Sequence, residues 1–146
     1  MGSCLEKGLS VVQGDANFDL EDYPDNSFST VILSQTIQAM IYPERVIENL
    51  IRIGRRAIIS FPNFGFWKVR KDFLFTGKMP KNKILPFDWF DTPNIHLCSY
   101  KDFSDFCKKK KISVDEFYCL DENGNDIKKN YFTNLLTFQV IFCVSK

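Results

Sequence analysis

The sequence predicts one doubly wound α/β domain, residues 1–146, whose mostly parallel sheet ends in an antiparallel hairpin. Short β-branched runs bounded by turn residues alternate with a stretch of helical spacing. A strand, a helix and a strand with short connections imply a right-handed parallel crossover. The last two apolar runs follow one another across a turn, which is typical of an antiparallel pair. A chain of this length supports one domain with its own core.

The first half contains the predicted crossover. Leu9–Val12 reads as a strand that leaves into a loop at Gly14, and residues 23–27 read as a turn. Phe28–Leu33 is a continuous apolar run, typical of a strand buried on both faces. A helix is predicted from Pro43 to Gly54, with its buried stripe at Val46, Ile47, Leu50 and Ile53.

The second half begins with a strand at Ala57–Phe61 that Pro62 interrupts. Residues 63–98 show no clean period, and a connection of that length is more often functional than idle. Ser99 and Asp102 then form the capping box of a helix whose predicted buried stripe is Phe103, Phe106 and Cys107. The closing strands are predicted at Ile112–Leu120 and Leu135–Val144.

Composition excludes several classes of function. The net charge is +1, which gives no overall attraction to nucleic acid or anionic membrane. No apolar run would span a bilayer, and residues 1–10 lack the pattern of a secretory signal. The five cysteines form no Cys-x-x-Cys pair and there is one histidine, so no metal site is predicted. We therefore expect a cytoplasmic protein with reduced thiols.

Four segments together carry a family resemblance: GLSVVQGDA (8–16), VILSQTIQA (31–39), IGRRAIISFPNFG (53–65) and DTPNIH (91–96). In this order the chain resembles the methionine biosynthesis protein MetW family, from about Leu5 to Leu120. That family belongs to the class I S-adenosylmethionine-dependent methyltransferase-like superfamily. The resemblance implies a Rossmann-like fold with the cofactor at the carboxyl ends of the early strands.

The resemblance also implies roles for individual residues. Asp15 would accept a hydrogen bond from the adenine amino group, and Ala16 would offer its backbone to the ring edge. Ser34 and Gln35 would lie beside the methionine part of S-adenosylmethionine. The family works alongside homoserine O-acyltransferase, so an accessory role with that enzyme is the first functional hypothesis. The expected partner or substrate loop contains Asn63, Phe64, Trp67, Asp91, Asn94 and His96.

The chain departs from the superfamily at its glycines. No two of its seven glycines have the Gly-x-Gly spacing of the superfamily's cofactor loop. No room remains before Leu9 for a further strand–helix–strand unit. We therefore expect an N-terminally truncated form that lacks the first two strands. Its longer parent would hold S-adenosylmethionine, this chain would not, and the exposed sheet edge would favour self-association.

Other interpretations remain open. His96 is a weak candidate for a general base, since a lone histidine is more often structural. A basic, aromatic stretch lies between Arg52 and Lys83. This stretch could bind single-stranded nucleic acid, or it could form an amphipathic helix at Trp67–Phe75 whose basic face is solvated. A third interpretation, which we favour, is a docking patch for another protein. The alternative function is a methyltransferase acting on a small metabolite, and whether this chain is itself an enzyme stays open.

Overall fold

A computed structural model describes residues 6–8 and 10–146. Its strands and helices, labelled in chain order, are β1 (Val31–Ser34), α1 (Pro43–Ile53), β2 (Ala57–Pro62), α2 (Trp67–Thr76), α3 (Tyr100–Lys110), β3 (Ser113–Leu120), α4 (Thr133–Leu136) and β4 (Gln139–Ser145). The four strands are ordered β1-β2-β4-β3. β1 and β2 are parallel, and β4 is antiparallel to both β2 and β3. The predicted α/β class, crossover and closing hairpin are confirmed.

Helix α1 forms the crossover as its sequence predicts. Pro43 occupies the start of the helix, and all four predicted apolar positions are buried against the sheet. Gly54 follows the helix because there is no space for a side chain. A β-carbon there would lie 2.8 Å from a methyl group of Val31. The close approach lets the chain turn directly from α1 into β2.

Two predictions about the first strands are wrong. Leu9 lies outside the described residues, but residues 10–12 form no strand, and Val12 is 80% exposed. A strand needs a hydrogen-bonded neighbour, and no described segment pairs with these residues. The run Phe28–Leu33 is not buried on both faces, since β1 starts only at Val31 and Ile32 is 67% exposed. Within the described part of the chain β1 is an edge strand, and the core covers only its Leu33 face.

The core lies between the sheet, α1 and α3, and phenylalanine fills its centre. The Phe142 ring is 4.7 Å from Phe103 and 6.0 Å from Phe61, between ring centroids. Phe103 and Cys107 are buried on α3 as predicted, whereas Phe106 is only partly buried at the margin. Packed aromatic rings of this kind bury a large apolar area at the centre of the domain.

The start of α3 agrees with its prediction, whereas the start of the last strand does not. The capping box of α3 is confirmed, since the Ser99 hydroxyl accepts from the Asp102 amide at 3.3 Å and the Asp102 carboxylate accepts from the Ser99 amide at 2.9 Å. Leu135 and Leu136, however, belong to the helical turn α4, and β4 starts only at Gln139. The Thr133 hydroxyl accepts from the Asn130 amide at 2.7 Å, which begins that turn.

The long connection between β2 and α3 contains α2, in agreement with the helical interpretation of Trp67–Phe75. None of the residues of α2 is fully buried. A small cluster of Phe66, Ile84 and Leu85 anchors the segment to the domain. Across the described residues, no helix has the length and hydropathy needed to cross a bilayer.

Candidate functional site

The carboxyl ends of β1 and β2 are where a doubly wound sheet places its ligand. Gln35 follows β1 with φ of 52°, a left-handed backbone that is uncommon for a residue with a side chain. Its amide donates to the Ser60 carbonyl at 2.9 Å, and the Ser34 hydroxyl lies 3.3 Å from that of Ser60. Such strain is frequent at functional sites. These bonds connect Ser34 and Gln35 to Ser60 of β2 at the carboxyl ends of the two strands.

The loop that contains Asp15 and Ala16 is held to the segment after β1 by a residue that the sequence interpretation missed. The Asp15 carboxylate accepts from the amide and the side chain of Asn17, at 2.9 and 2.8 Å. The side-chain oxygen of buried Asn17 in turn accepts from the amides of Ile41 and Tyr42, at 2.9 and 3.2 Å. Asn17 thus fastens the Asp15 loop to the segment after β1. Its only sequence signal is the local Asp-x-Asn turn.

Gln38 is a second missed residue, and it docks the predicted His96 segment onto the end of β1. Its backbone carbonyl accepts from the amides of Ile95 and His96, at 2.8 and 2.9 Å. Its side-chain nitrogen donates to the Gln35 carbonyl at 2.8 Å. Its side-chain oxygen is buried and has no hydrogen-bond partner in the described structure. Gln38 therefore joins two predicted site segments and keeps one acceptor free.

A cleft of about 320 Å³ opens beside these groups. The polar residues that line it are Gln35, Gln38, Lys83, Asn94 and Gln139. The structure thus brings together Gln35 and Asn94, which the sequence assigns to different segments. Amide groups beside an ammonium suit a small polar ligand that both donates and accepts hydrogen bonds.

The candidate base His96 has no orienting carboxylate in the described residues. Its side chain is exposed, and its Nε2 lies 3.5 Å from the Ile41 carbonyl. Neither a hydrogen bond nor an ion pair joins it to Asp91 anywhere in residues 6–8 and 10–146. A general base needs both a positioned partner and a substrate proton within reach. The contacts of His96 with Gln38 and Ile41 instead hold its loop against the segment after β1.

Asn63 follows β2 and supports the site from the interior of the domain. It is fully buried, and its side-chain nitrogen donates to the carbonyls of Asn134 and Thr137, both at 2.8 Å. Its side-chain oxygen accepts from the amides of Gly65 and Tyr100, at 3.1 and 3.0 Å. Its amide group thus connects the end of β2 with α3 and α4, and it is not accessible to a partner.

Phe64 and Trp67, the next predicted residues, lie nearer the surface. The Phe64 amide donates to the Cys98 carbonyl at 3.2 Å, and the Phe64 ring is partly buried. Trp67 is 38% exposed, with the Lys68 ammonium 5.5 Å from its ring centroid. Several cations of this basic stretch are already engaged. Lys68 pairs with Glu122 at 2.6 Å, and Lys81 pairs with Asp88 at 2.7 Å.

The apolar residues of α2 and of the segment after it form what we call the aromatic surface. Its exposed members are Trp67, Phe73, Leu74, Phe75, Met79, Phe87, Trp89, Phe90, Ile95 and Leu97. Two cavities of about 470 and 220 Å³ open into it and share Met79, Pro80, Leu85 and Leu97. Large exposed apolar residues around shared cavities are typical of interaction sites.

Three cysteines of the described residues present inert thiols. Burial, with a contribution from the Asp102 carboxylate, raises the pKa of the Cys98 thiol to about 12. Burial raises the pKa of the Cys107 thiol to about 11 and also raises the pKa of Cys119. These thiols are protonated at neutral pH and are poor nucleophiles. In the described part of the chain, no group of three or more His, Cys, Asp or Glu residues could hold a metal ion.

Comparison with known proteins places this geometry in context. The family model described as methionine biosynthesis protein MetW matches residues 1–144. The bifunctional methionine biosynthesis protein MetXA/MetW of Rhodopirellula baltica is 33% identical over 140 residues, covering 90% of this chain. This chain spans only 22% of the length of that relative.

Solved structures resemble the fold at low sequence identity. A SAM-dependent methyltransferase from Thermotoga maritima matches with a TM-score of 0.65 and 18% identity, covering 97% of this chain and 66% of its own. The [4+2]-cyclase SpnF matches with a TM-score of 0.61 and 12% identity, covering 99% and 61%. The two names describe different reactions, so these likenesses establish the fold alone.

Proposed function

Because the chain belongs to the methionine biosynthesis protein MetW family, we propose that it is an accessory partner of homoserine O-acyltransferase. The aromatic surface is the proposed docking site. The observation that carries this proposal is the Rhodopirellula relative, whose name combines MetXA and MetW in one protein. Two parts of one chain are held at high effective concentration, which favours a direct contact between them.

The chemistry of the aromatic surface supports a protein partner. Trp89 is 75% exposed and Phe90 is 70% exposed, and their rings pack edge to face at 5.6 Å. Such rings are typical anchors of interfaces, particularly beside pockets that accept partner side chains. The cavity next to Trp89 and the larger one along α2 provide such pockets. Asn94 and His96 would lie at the margin of the interface. The buried Asn63 would hold in place the backbone from which the surface projects.

We expect the double variant Trp89→Ala, Phe90→Ala to weaken binding to purified homoserine O-acyltransferase at least tenfold, because truncating an interface anchor costs about 2 kcal/mol or more. Calorimetric titration of the two purified proteins measures the change. Tyr131→Ala is the matched control, since Tyr131 is an aromatic residue with 95% exposure outside this surface. Equal affinity of the double variant and the control would contradict the assignment. A steep dependence on salt would instead indicate contacts made by charges.

Methyl transfer is the second candidate, favoured by the likeness to a SAM-dependent methyltransferase. Asp15 and Ala16 would face the adenine, and Ser34 and Gln35 would face the methionine part of the cofactor. These residues provide only part of a site, because the sequence contains no Gly-x-Gly loop to approach the carboxypropyl group. They would contact the cofactor at two places and leave its carboxypropyl end without a backbone partner from such a loop.

Calorimetric titration tests this candidate directly. We expect no saturable binding of S-adenosylmethionine or S-adenosylhomocysteine to this chain, because the helix N-terminus and the bare backbone of the glycine loop are part of the affinity. The Thermotoga methyltransferase serves as the positive control. Saturable binding that Asp15→Ala abolishes would overturn this expectation and favour methyl transfer over the accessory role.

Self-association through the free edge of β1 is also proposed. Ile32 is 67% exposed on this edge strand, and apolar edges pair readily with other chains. We expect concentration-dependent dimers or larger species in light scattering after size-exclusion chromatography. Ile32→Lys should shift the population toward monomer, since a charged side chain protects an edge. Its control is Val12→Lys, which changes an exposed apolar residue outside both β1 and the aromatic surface. A monomer at every concentration would contradict the proposal.

A further inference from the structure

A further cleft lies away from the carboxyl ends of β1 and β2 and shares only Arg70 with the larger cavity of the aromatic surface. It measures about 460 Å³ and opens between the first turns of α2 and α3 and the segment that precedes β4. Its volume falls in the range of small-molecule sites. Nothing in the proposed accessory or methyl-transfer roles uses it.

Three cations line this cleft, and no carboxylate does. They are Arg70, Lys101 and Lys129. None of them forms an ion pair within residues 6–8 and 10–146, although the whole chain has a net charge of only +1. The nearest acid on α3, Asp102, is occupied by the amide and hydroxyl of Ser99, at 2.9 and 2.7 Å. Unpaired cations around a concave surface attract an anion of more than one charge.

Two of the cations are already oriented. The Nε of Arg70 donates to the Gly65 carbonyl at 2.6 Å, so only its terminal nitrogens remain to bind a ligand. The Lys129 ammonium lies 4.5 Å from the Phe117 ring centroid, which holds its side chain over the sheet. Preorganised cations lose less side-chain entropy on binding an anion than mobile ones do.

A second wall of the cleft includes two aromatic residues. The Tyr131 ring is 95% exposed and packs edge to face on Phe132, with centroids 5.3 Å apart. The Asn130 carbonyl accepts from the Thr133 hydroxyl at 2.7 Å, which fixes the turn that carries both rings. The Tyr131 ring therefore offers an exposed face for stacking.

From these groups we propose that the cleft binds a nucleotide. The phosphates would contact Arg70, Lys101 and Lys129, and the planar base would stack on Tyr131. A bare phosphate would use the cations alone, and a nucleoside would use the ring alone. A nucleotide uses both walls of the cleft.

The test is calorimetric titration of the full chain with ADP, and in parallel with pyrophosphate and adenosine. We expect saturable one-to-one binding of ADP that is tighter than binding of either fragment. Lys129→Gln should weaken ADP and pyrophosphate about tenfold, by loss of one charge-assisted contact. Tyr131→Ala should weaken ADP about tenfold and leave pyrophosphate unchanged, by loss of stacking.

Lys78→Gln is the control, because Lys78 is an exposed lysine outside the cleft. Unchanged melting temperatures would establish that the variants fold. The proposal is overturned if ADP does not saturate, if Lys78→Gln weakens binding as much as Lys129→Gln, or if Tyr131→Ala has no effect. Much tighter binding of a single-stranded oligonucleotide than of ADP would also overturn it, in favour of a nucleic-acid surface.

Discussion

Asn63→Ala is expected to lower the free energy of unfolding by about 4 kcal/mol, because it breaks a buried hydrogen-bond network. The substitution removes all four bonds of the buried amide. It leaves the amides of Gly65 and Tyr100 and the carbonyls of Asn134 and Thr137 without partners. Equilibrium unfolding in urea, followed by circular dichroism, measures the loss.

Asn63→Asp separates the donor from the acceptor function of this side chain. The aspartate keeps an oxygen for the two amides, but it turns a second oxygen toward two carbonyls and buries a charge. We therefore expect a loss at least as large as that of alanine at neutral pH. Asn125→Ala is the matched control, because Asn125 is exposed and bonds only within its own turn. If Asn63→Ala and Asn125→Ala were equally mild, Asn63 would not connect these elements.

Local signals predicted the elements of this fold well. The burial of α1 follows from the spacing of Val46, Ile47 and Leu50, and the start of α3 follows from Ser99 and Asp102. Both signals depend on residues that are three or four positions apart, and such neighbours share a helix face or a cap. The burial of β1 could not be predicted in this way, because an apolar run does not reveal how many of its faces have a neighbour.

The long-range hydrogen bonds of the site's amide residues were beyond sequence reasoning. Asn17 bonds to amides 24 and 25 positions away, and Asn63 bonds to carbonyls 71 and 74 positions away. Their partners are backbone groups, which every residue type carries, so no pattern of side chains indicates them. The same holds for Gln38, whose backbone carbonyl receives the His96 segment. The resemblance pointed to the strand ends, but only the folded chain reveals which amides connect them.

Phe142→Ala is expected to cost about 4 kcal/mol, the usual range for truncating a buried phenylalanine. The side chain is 1% exposed, and its ring also packs against Tyr100 and Phe117, at 5.9 and 5.6 Å. Phe142 lies on β4, which pairs with both β2 and β3, so a cavity there loosens the centre of the sheet. A domain of this size has only about 5–15 kcal/mol of stability. Much of that stability would be lost.

Phe142→Leu shows whether volume is the cause. Leucine refills part of the cavity, so we expect a loss of about 1–2 kcal/mol, well below that of alanine. Phe75→Ala is the control on the surface, since Phe75 is 76% exposed and should change stability by no more than about 0.5 kcal/mol. Urea unfolding with a common slope for all variants makes the midpoints comparable. A loss for Phe142→Ala no larger than that for Phe75→Ala would mean that the aromatic core does not hold the sheet together.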